Sequence, residues 1–268
     1  MSGFSIDWLN LREDADRRAR DQALRERALR WLAEESSSDQ EPVVVDLGAG
    51  TGSTLRALST QVPLSWRLVD NDKTLLTEAQ RRHGRTQNVE TCLADLADVE
   101  TLPLDGVRLV TASALFDLVS ANFIEALAKE LKTRGRQNPV GLYTALNYDG
   151  TTHWTPAHPL DEVVLQAFNR DQRKDKGFGP ALGPDAGSAI ARVFSEAGFE
   201  VHSATSPWVL EGADQHMVSA LITGIAGAVS DSPEIDSQAL KDWVRFRHSN
   251  VQTGTCTVGH IDLLALPV

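Results

Sequence analysis

Asp46-Leu47-Gly48-Ala49-Gly50-Thr51-Gly52 is the stretch whose reading decides the fold. It follows Pro42-Val43-Val44-Val45, a β-branched run without polar alternation, as expected of a strand buried on both faces of a parallel sheet. The glycines end that strand in a turn where missing β-carbons let backbone approach a ligand closely. Their spacing is G-x-G-x-G. A dinucleotide fingerprint needs G-x-G-x-x-G and a phosphate loop ends in G-K-[ST], so neither is present.

Working outward, strand and helix patterns alternate: a helix near Ser53–Ser59, a strand Trp66–Asp70, a helix Lys73–His83 and a strand Val89–Leu93, then a strand Val107–Ala112, a helix Asn122–Thr133 and a strand Val140–Leu146. That alternation predicts an α/β fold, a doubly wound and mostly parallel sheet of Rossmann type. Upstream, apolar residues at helical spacing predict one amphipathic helix over Asp14–Leu32, then a polar loop Ser36–Gln40. Asn147–Pro184 breaks the rhythm, with a single helix expected at Leu160–Asn169, and reads as an inserted cap. Helix Ser188–Ala197, strand Phe199–Ala204, helices Gln215–Val229 and Ser237–Ser249 and strand Cys256–Leu264 follow, making seven strands. The organisation expected is an N-terminal helical segment (1–41), a ligand-binding core (42–147), a cap (148–186) and a C-terminal part completing the core (187–268).

Leu68-Val69-Asp70 ends the second strand with a carboxylate able to accept both ribose hydroxyls of a nucleoside, and Leu93-Ala94-Asp95-Leu96 ends the third with a carboxylate for an adenine amino group and a side chain for the ring edge. With Asp46, three acids close three successive strands on the carboxyl edge of the sheet. Over about residues 42–147 this pattern resembles the class I S-adenosylmethionine-dependent methyltransferases. The resemblance implies S-adenosylmethionine as cofactor. Asp46, Gly48, Ala49, Gly50 and Gly52 would line its methionine part, Asp70 would hold the ribose with Asn71 beside the adenine, and Asp95 and Leu96 would meet the adenine. Ala112, Ser113 and Ala114 would close the pocket, and the last strand, Cys256–Leu264, would run antiparallel. Arg12 either clamps the cofactor carboxylate, as a guanidinium can bidentately, or is an exposed helix-end arginine.

In-line methyl transfer needs an aligned nucleophile and exclusion of water, with a general base where the acceptor is a hydroxyl. Tyr148 and Asp149, directly after the fifth strand, and His153 are the catalytic candidates. In the cap, Asn169, Arg173 and Lys176 would grip the acceptor, the two cations attracting an anionic group; a solvated lid is the alternative. Trp154 and Trp208 either wall that pocket or pack in the core.

The chain has 268 residues and a net charge of -11, with its basic stretch Arg17–Arg30 interleaved with acids, which opposes nucleic-acid substrates and favours a small-molecule acceptor. Two cysteines, Cys92 and Cys256, in no Cys/His pattern argue against a disulfide framework or a metal site and suit the cytoplasm. No signal peptide or membrane span is read. The acceptor and the oligomeric state are open, a homo-oligomer included. The alternatives are an NAD(P)-dependent oxidoreductase, disfavoured by the glycine spacing and by the lack of a Tyr-x-x-x-Lys pair, and a non-catalytic cofactor-binding protein.

Overall fold

The apolar run after Pro42 forms β1 (Val43–Leu47), and four strands join it in parallel: β2 (Ser65–Asp70), β3 (Asn88–Leu93), β4 (Val107–Ser113) and the first part of β5 (Gly141–Thr155). The structure is a computed structural model and describes residues 4–34, 41–58, 63–135 and 138–268. The expected loop Ser36–Gln40, and Ser59 at the end of an expected helix, lie outside the described residues. β6 (Phe199–Thr205), β7 (Trp208–Leu210) and β8 (Thr255–Pro267) complete the sheet in the order β3-β2-β1-β4-β5-β8-β6, with β7 against β8. β8 runs antiparallel to β5, β6 and β7. The order reverses at β1, so a crevice opens at the carboxyl ends of β1 and β4.

Helices cover both faces, as a doubly wound sheet requires. One layer is built from α1 (Ile6–Ala19), α2 (Gln22–Glu34), α3 (Ser53–Leu58), α4 (Lys73–His83), α6 (Asp161–Gln172), α8 (Gln215–Val229) and α9 (Ser237–Ser249); its core holds Leu32, Leu55, Leu68, Tyr143 and Trp243. Phe123, Leu127, Ile190 and Phe194, from α5 (Ala121–Arg134) and α7 (Ala186–Glu196), pack on the other face against Val45, Leu47 and Val110.

Three features depart from the sequence reading. The sheet has eight strands among the described residues, one more than expected, because the edge along β8 is interrupted at Ser206-Pro207. Pro207 has no N–H for the ladder, and the Ser206 hydroxyl turns inward to donate to Asp262 Oδ1 at 2.5 Å. The helix expected over Asp14–Leu32 is two helices: the Asp21 carboxylate accepts from the Leu24 N–H at 2.8 Å, capping α2, while its own N–H donates to Asp262 Oδ2 at 2.8 Å. Finally, β5 does not stop at Leu146. It bulges between Thr144 and Asn147 and again between Tyr148 and Thr152, then pairs with β8 as far as Thr155. Asn147–Thr155 therefore belongs to the sheet, and the irregular region begins after it.

Candidate active site

The glycine loop does what its sequence requires. Gly48, Gly50 and Gly52 take φ of 64°, 54° and 83°, the left-handed region that side chains disfavour. A β-carbon on Gly50 would stand 3.0 Å from Leu9 Cδ1, so the missing side chain lets α1 settle onto the loop. The result is a cleft of about 350 Å³ lined by Leu9, Arg12 and Asp16 from α1, by Gly48, Ala49, Gly50, Thr51 and Ser53, and by Ser113 at the end of β4.

Two of the strand-end acids are buried beside this cleft. Asp46, 1% exposed, accepts from the Thr111 hydroxyl at 2.8 Å. Burial pushes its carboxyl up to about 7, against the Thr111 and Thr54 hydrogen bonds and the Arg20 charge. Asp70 accepts the Gly50 N–H on Oδ2 at 2.9 Å and the Asp72 N–H on Oδ1 at 2.9 Å, and burial raises its pKa. Each oxygen keeps a second lone pair for a ligand hydroxyl. Asn71 and Asp95 are exposed, Asp95 accepting from the Ala97 N–H at 3.0 Å, whereas Leu96 and Ala112 are buried.

Arg12 lines the cleft and is not an exposed helix end: its Nε donates to Asp16 Oδ2 at 2.8 Å and its guanidinium lies 4.9 Å from the centre of the Trp208 ring. The sequence reading passed over Arg20. The break between α1 and α2 buries it, with Nη2 donating to Ser113 Oγ at 3.2 Å and with Nε and Nη1 lacking a hydrogen-bond partner. Asp21, a helix-capping residue type inside a helical pattern, was the signal for that break.

On the acceptor side the expected residues separate. The buried Tyr148 donates to Asn169 Oδ1 at 2.8 Å, and Asn169 Nδ2 donates to the Gly150 carbonyl at 2.8 Å, so these two join β5 to α6. Trp208 is 4% exposed; its indole N–H donates to Asp16 Oδ1 at 2.9 Å. Asp149 is turned to its own bulge, accepting from the Thr151 hydroxyl at 2.7 Å. His153 is not brought to the cleft: it stands exposed, paired with Thr257 beyond the second bulge. Nor are Arg173 and Lys176 free cations, since Arg173 donates to Asp185 Oδ2 at 2.9 Å and Lys176 to Asp171 Oδ2 at 3.0 Å. Short-range cap folding consumes both charges.

Residues 44–137, from β1 past the end of α5, match a family model described as a methyltransferase domain. Over those residues the chain carries a methyltransferase domain. No curated protein sequence matches the chain. Solved structures with the same fold include two bacterial proteins. The YcgJ protein from Bacillus subtilis is 16% identical, with a TM-score of 0.52, covering 90% of this chain and 98% of its own. A candidate methyltransferase from Bacillus halodurans C-125 is 17% identical, with a TM-score of 0.51, covering 90% and 99%. The cleft's chemistry is compatible with S-adenosylmethionine: close-approach glycines, a buried carboxylate with spare lone pairs, and buried cations at the α1 end.

Proposed function

We propose that this methyltransferase moves the methyl group of S-adenosylmethionine in line onto a small-molecule acceptor in the cytoplasm. The observation that carries the reading is the cleft where α1 roofs the glycine loop, with Asp46 and Asp70 at the ends of adjacent strands. In it Gly48, Ala49, Gly50 and Gly52 would cradle the methionine part, with Ala112 and Ser113 closing the pocket. Asp70 would hold the ribose, and Asn71, Asp95 and Leu96 would take the adenine. Arg12 and Arg20 are the cations for the cofactor carboxylate, Arg20 bringing two donors without a partner.

When bound, the cofactor supplies an electrophilic methyl on a sulfonium. The chain's own task is alignment and exclusion of water. Residues 42–147 serve as the cofactor core and 156–186, the part of the expected cap that lies beyond β5, as a cap on the acceptor side. The cap is tied down by the Gly183 and Leu182 N–H groups, which donate to the carbonyls of Asp117 and Val119 at 2.8 Å each. A net charge of -11 favours a small acceptor over a polyanion. Among the described residues no helix is long and apolar enough to cross a membrane.

Incubation with methyl-labelled S-adenosylmethionine tests this reading. Label passing to low-mass metabolites, with S-adenosylhomocysteine released, is the expected result; label appearing only in added nucleic acid or protein would refute the acceptor class.

A further inference from the structure

Besides the Arg20 nitrogens, Asp117 Oδ1 and His260 Nδ1 are among the side-chain atoms shielded from water without a hydrogen-bond partner. Asp117 lies on the turn after β4 and His260 midway along β8, and neither has a role in the reading above. The charge of Arg12, which lines the cleft, acts on both. The Trp208 ring lies under Arg12 and 4.6 Å from the His260 ring; the Tyr148 ring is 6.3 Å from His260 and feels the charge of Asp117. The imidazole and the two aromatic rings thus pack together next to Arg12, and the Asp117 charge acts on the Tyr148 member of the group.

The backbone around this cluster is strained. Among the described residues, Ala114 at φ 51° and Leu146 at φ 59° are the non-glycine residues in the left-handed region. Such conformations cost about 1–3 kcal/mol each and gather at ligand sites. Both are held by hydrogen bonds, Ala114 N–H to the Ala145 carbonyl at 2.9 Å and Leu146 N–H to Asp262 Oδ1 at 2.8 Å. The turn at Ala114 leads from β4 to Asp117, which the cap holds through the Gly183 N–H.

A buried carboxylate oxygen without a donor is costly unless a ligand supplies one. Burial pushes the Asp117 carboxyl up to about 6, opposed by a hydrogen bond from its own backbone N–H and by the Arg12 charge, so the ionised form predominates at neutral pH. His260 is 4% exposed, and burial together with Arg12 drives its pKa down to about 3, leaving a neutral ring with one lone pair and one N–H. A small ammonium suits this set, placing charge on Asp117, a polar contact on His260 and an apolar body against Tyr148 and Trp208. A carboxylate would meet the like charge of Asp117, and an alcohol would leave that charge uncompensated. Arg12 opposes a cation less than a free guanidinium would, because Asp16 pairs with it at 2.8 Å.

We infer that Asp117 and His260 form the acceptor subsite and that it takes a small primary or secondary amine, an inference that rests on the methyl-transfer reading. Asp117 accepts one proton from the ammonium. The freed lone pair on nitrogen forms the C–N bond as the methyl–sulfur bond breaks, with that bond's electron pair staying on sulfur. Asp117 then returns its proton to solvent.

Calorimetry on the full chain tests the assignment. Protein saturated with S-adenosylhomocysteine is titrated with benzylamine, 2-phenylethylamine and tryptamine, and with the matching alcohols and carboxylates. At least one amine is expected to bind in preference to its alcohol and carboxylate. Asp117→Asn and His260→Gln should each weaken that amine about tenfold or more while leaving S-adenosylhomocysteine affinity and melting temperature near wild type. No amine binding, preference for the alcohols or carboxylates, or unchanged amine affinity in both variants would overturn the assignment. Wild-type protein that fails to bind S-adenosylhomocysteine would instead remove the methyl-transfer reading itself.

Discussion

The Gly50 N–H donates to Asp70 Oδ2 at 2.9 Å, so one carboxylate at the end of β2 sets the shape of the loop after β1. Its other oxygen is held by the Asp72 N–H, and the remaining lone pairs face the ribose position in the proposed complex. In Asp70→Asn an amide N–H₂ would face one of those two backbone donors. S-adenosylhomocysteine affinity should fall about tenfold to a hundredfold, with about 1–3 kcal/mol lost from stability. Calorimetry and urea unfolding check the two numbers; unaltered affinity would remove Asp70 from the ribose role.

Asp46 makes a pH-dependent contribution whose sign is opposite to that of a salt-bridged acid. Its folded-state carboxyl, near 7, lies above the ordinary 3.8, so the native state binds the proton more tightly than the unfolded chain does. Its contribution to stability is full below about pH 4, declines as pH rises to about 7 and is flat beyond. Asp46→Asn should abolish that slope, gaining on the order of 2–4 kcal/mol over wild type between those limits. Parallel stability profiles for the two proteins would count against it.

Asp262 joins three elements, accepting from the Asp21 N–H before α2, the Leu146 N–H in the β5 bulge and the Ser206 hydroxyl before β7. Asp262→Ala strands all three donors, two of them buried, and a loss of about 3–5 kcal/mol in urea unfolding is expected. A loss below about 1 kcal/mol would show that water replaces the carboxylate.

The parallel strands, the glycine loop and the acid after β2 were legible because local sequence determines each: a β-branched run, a left-handed turn, a carboxylate at a strand end. The break at Asp21 was hidden by apolar residues that keep helical spacing across it. Asn147–Thr155 hid its strand because two bulges scramble the alternation that marks one. Asp117 and His260 could not be read at all, since they lie on the turn after β4 and in β8, far apart in sequence, and carry no local motif. For His153, Arg173 and Lys176 residue type alone could not show the surroundings the structure gives them: exposure for His153 and a nearby acid for each cation.

Gly50→Ala should disturb α1 as well as the loop, because the added methyl group meets Leu9 and the residue keeps φ of 54°. A cost of about 1–2 kcal/mol and weaker S-adenosylhomocysteine binding are expected. Leu9→Ala in the same chain should recover part of the binding, and a double-mutant cycle measures how much. Strict additivity would show that α1 does not roof the loop.

The central claim is that the loop after β1 and the acids at neighbouring strand ends enclose one adenosyl ligand. Titration of the folded chain with S-adenosylhomocysteine, with NAD as a control, measures this directly. Saturable one-to-one heat with S-adenosylhomocysteine, absent with NAD and reduced in Asp70→Asn, is the expected result; no saturable heat with S-adenosylhomocysteine, or tighter binding of NAD, would contradict it.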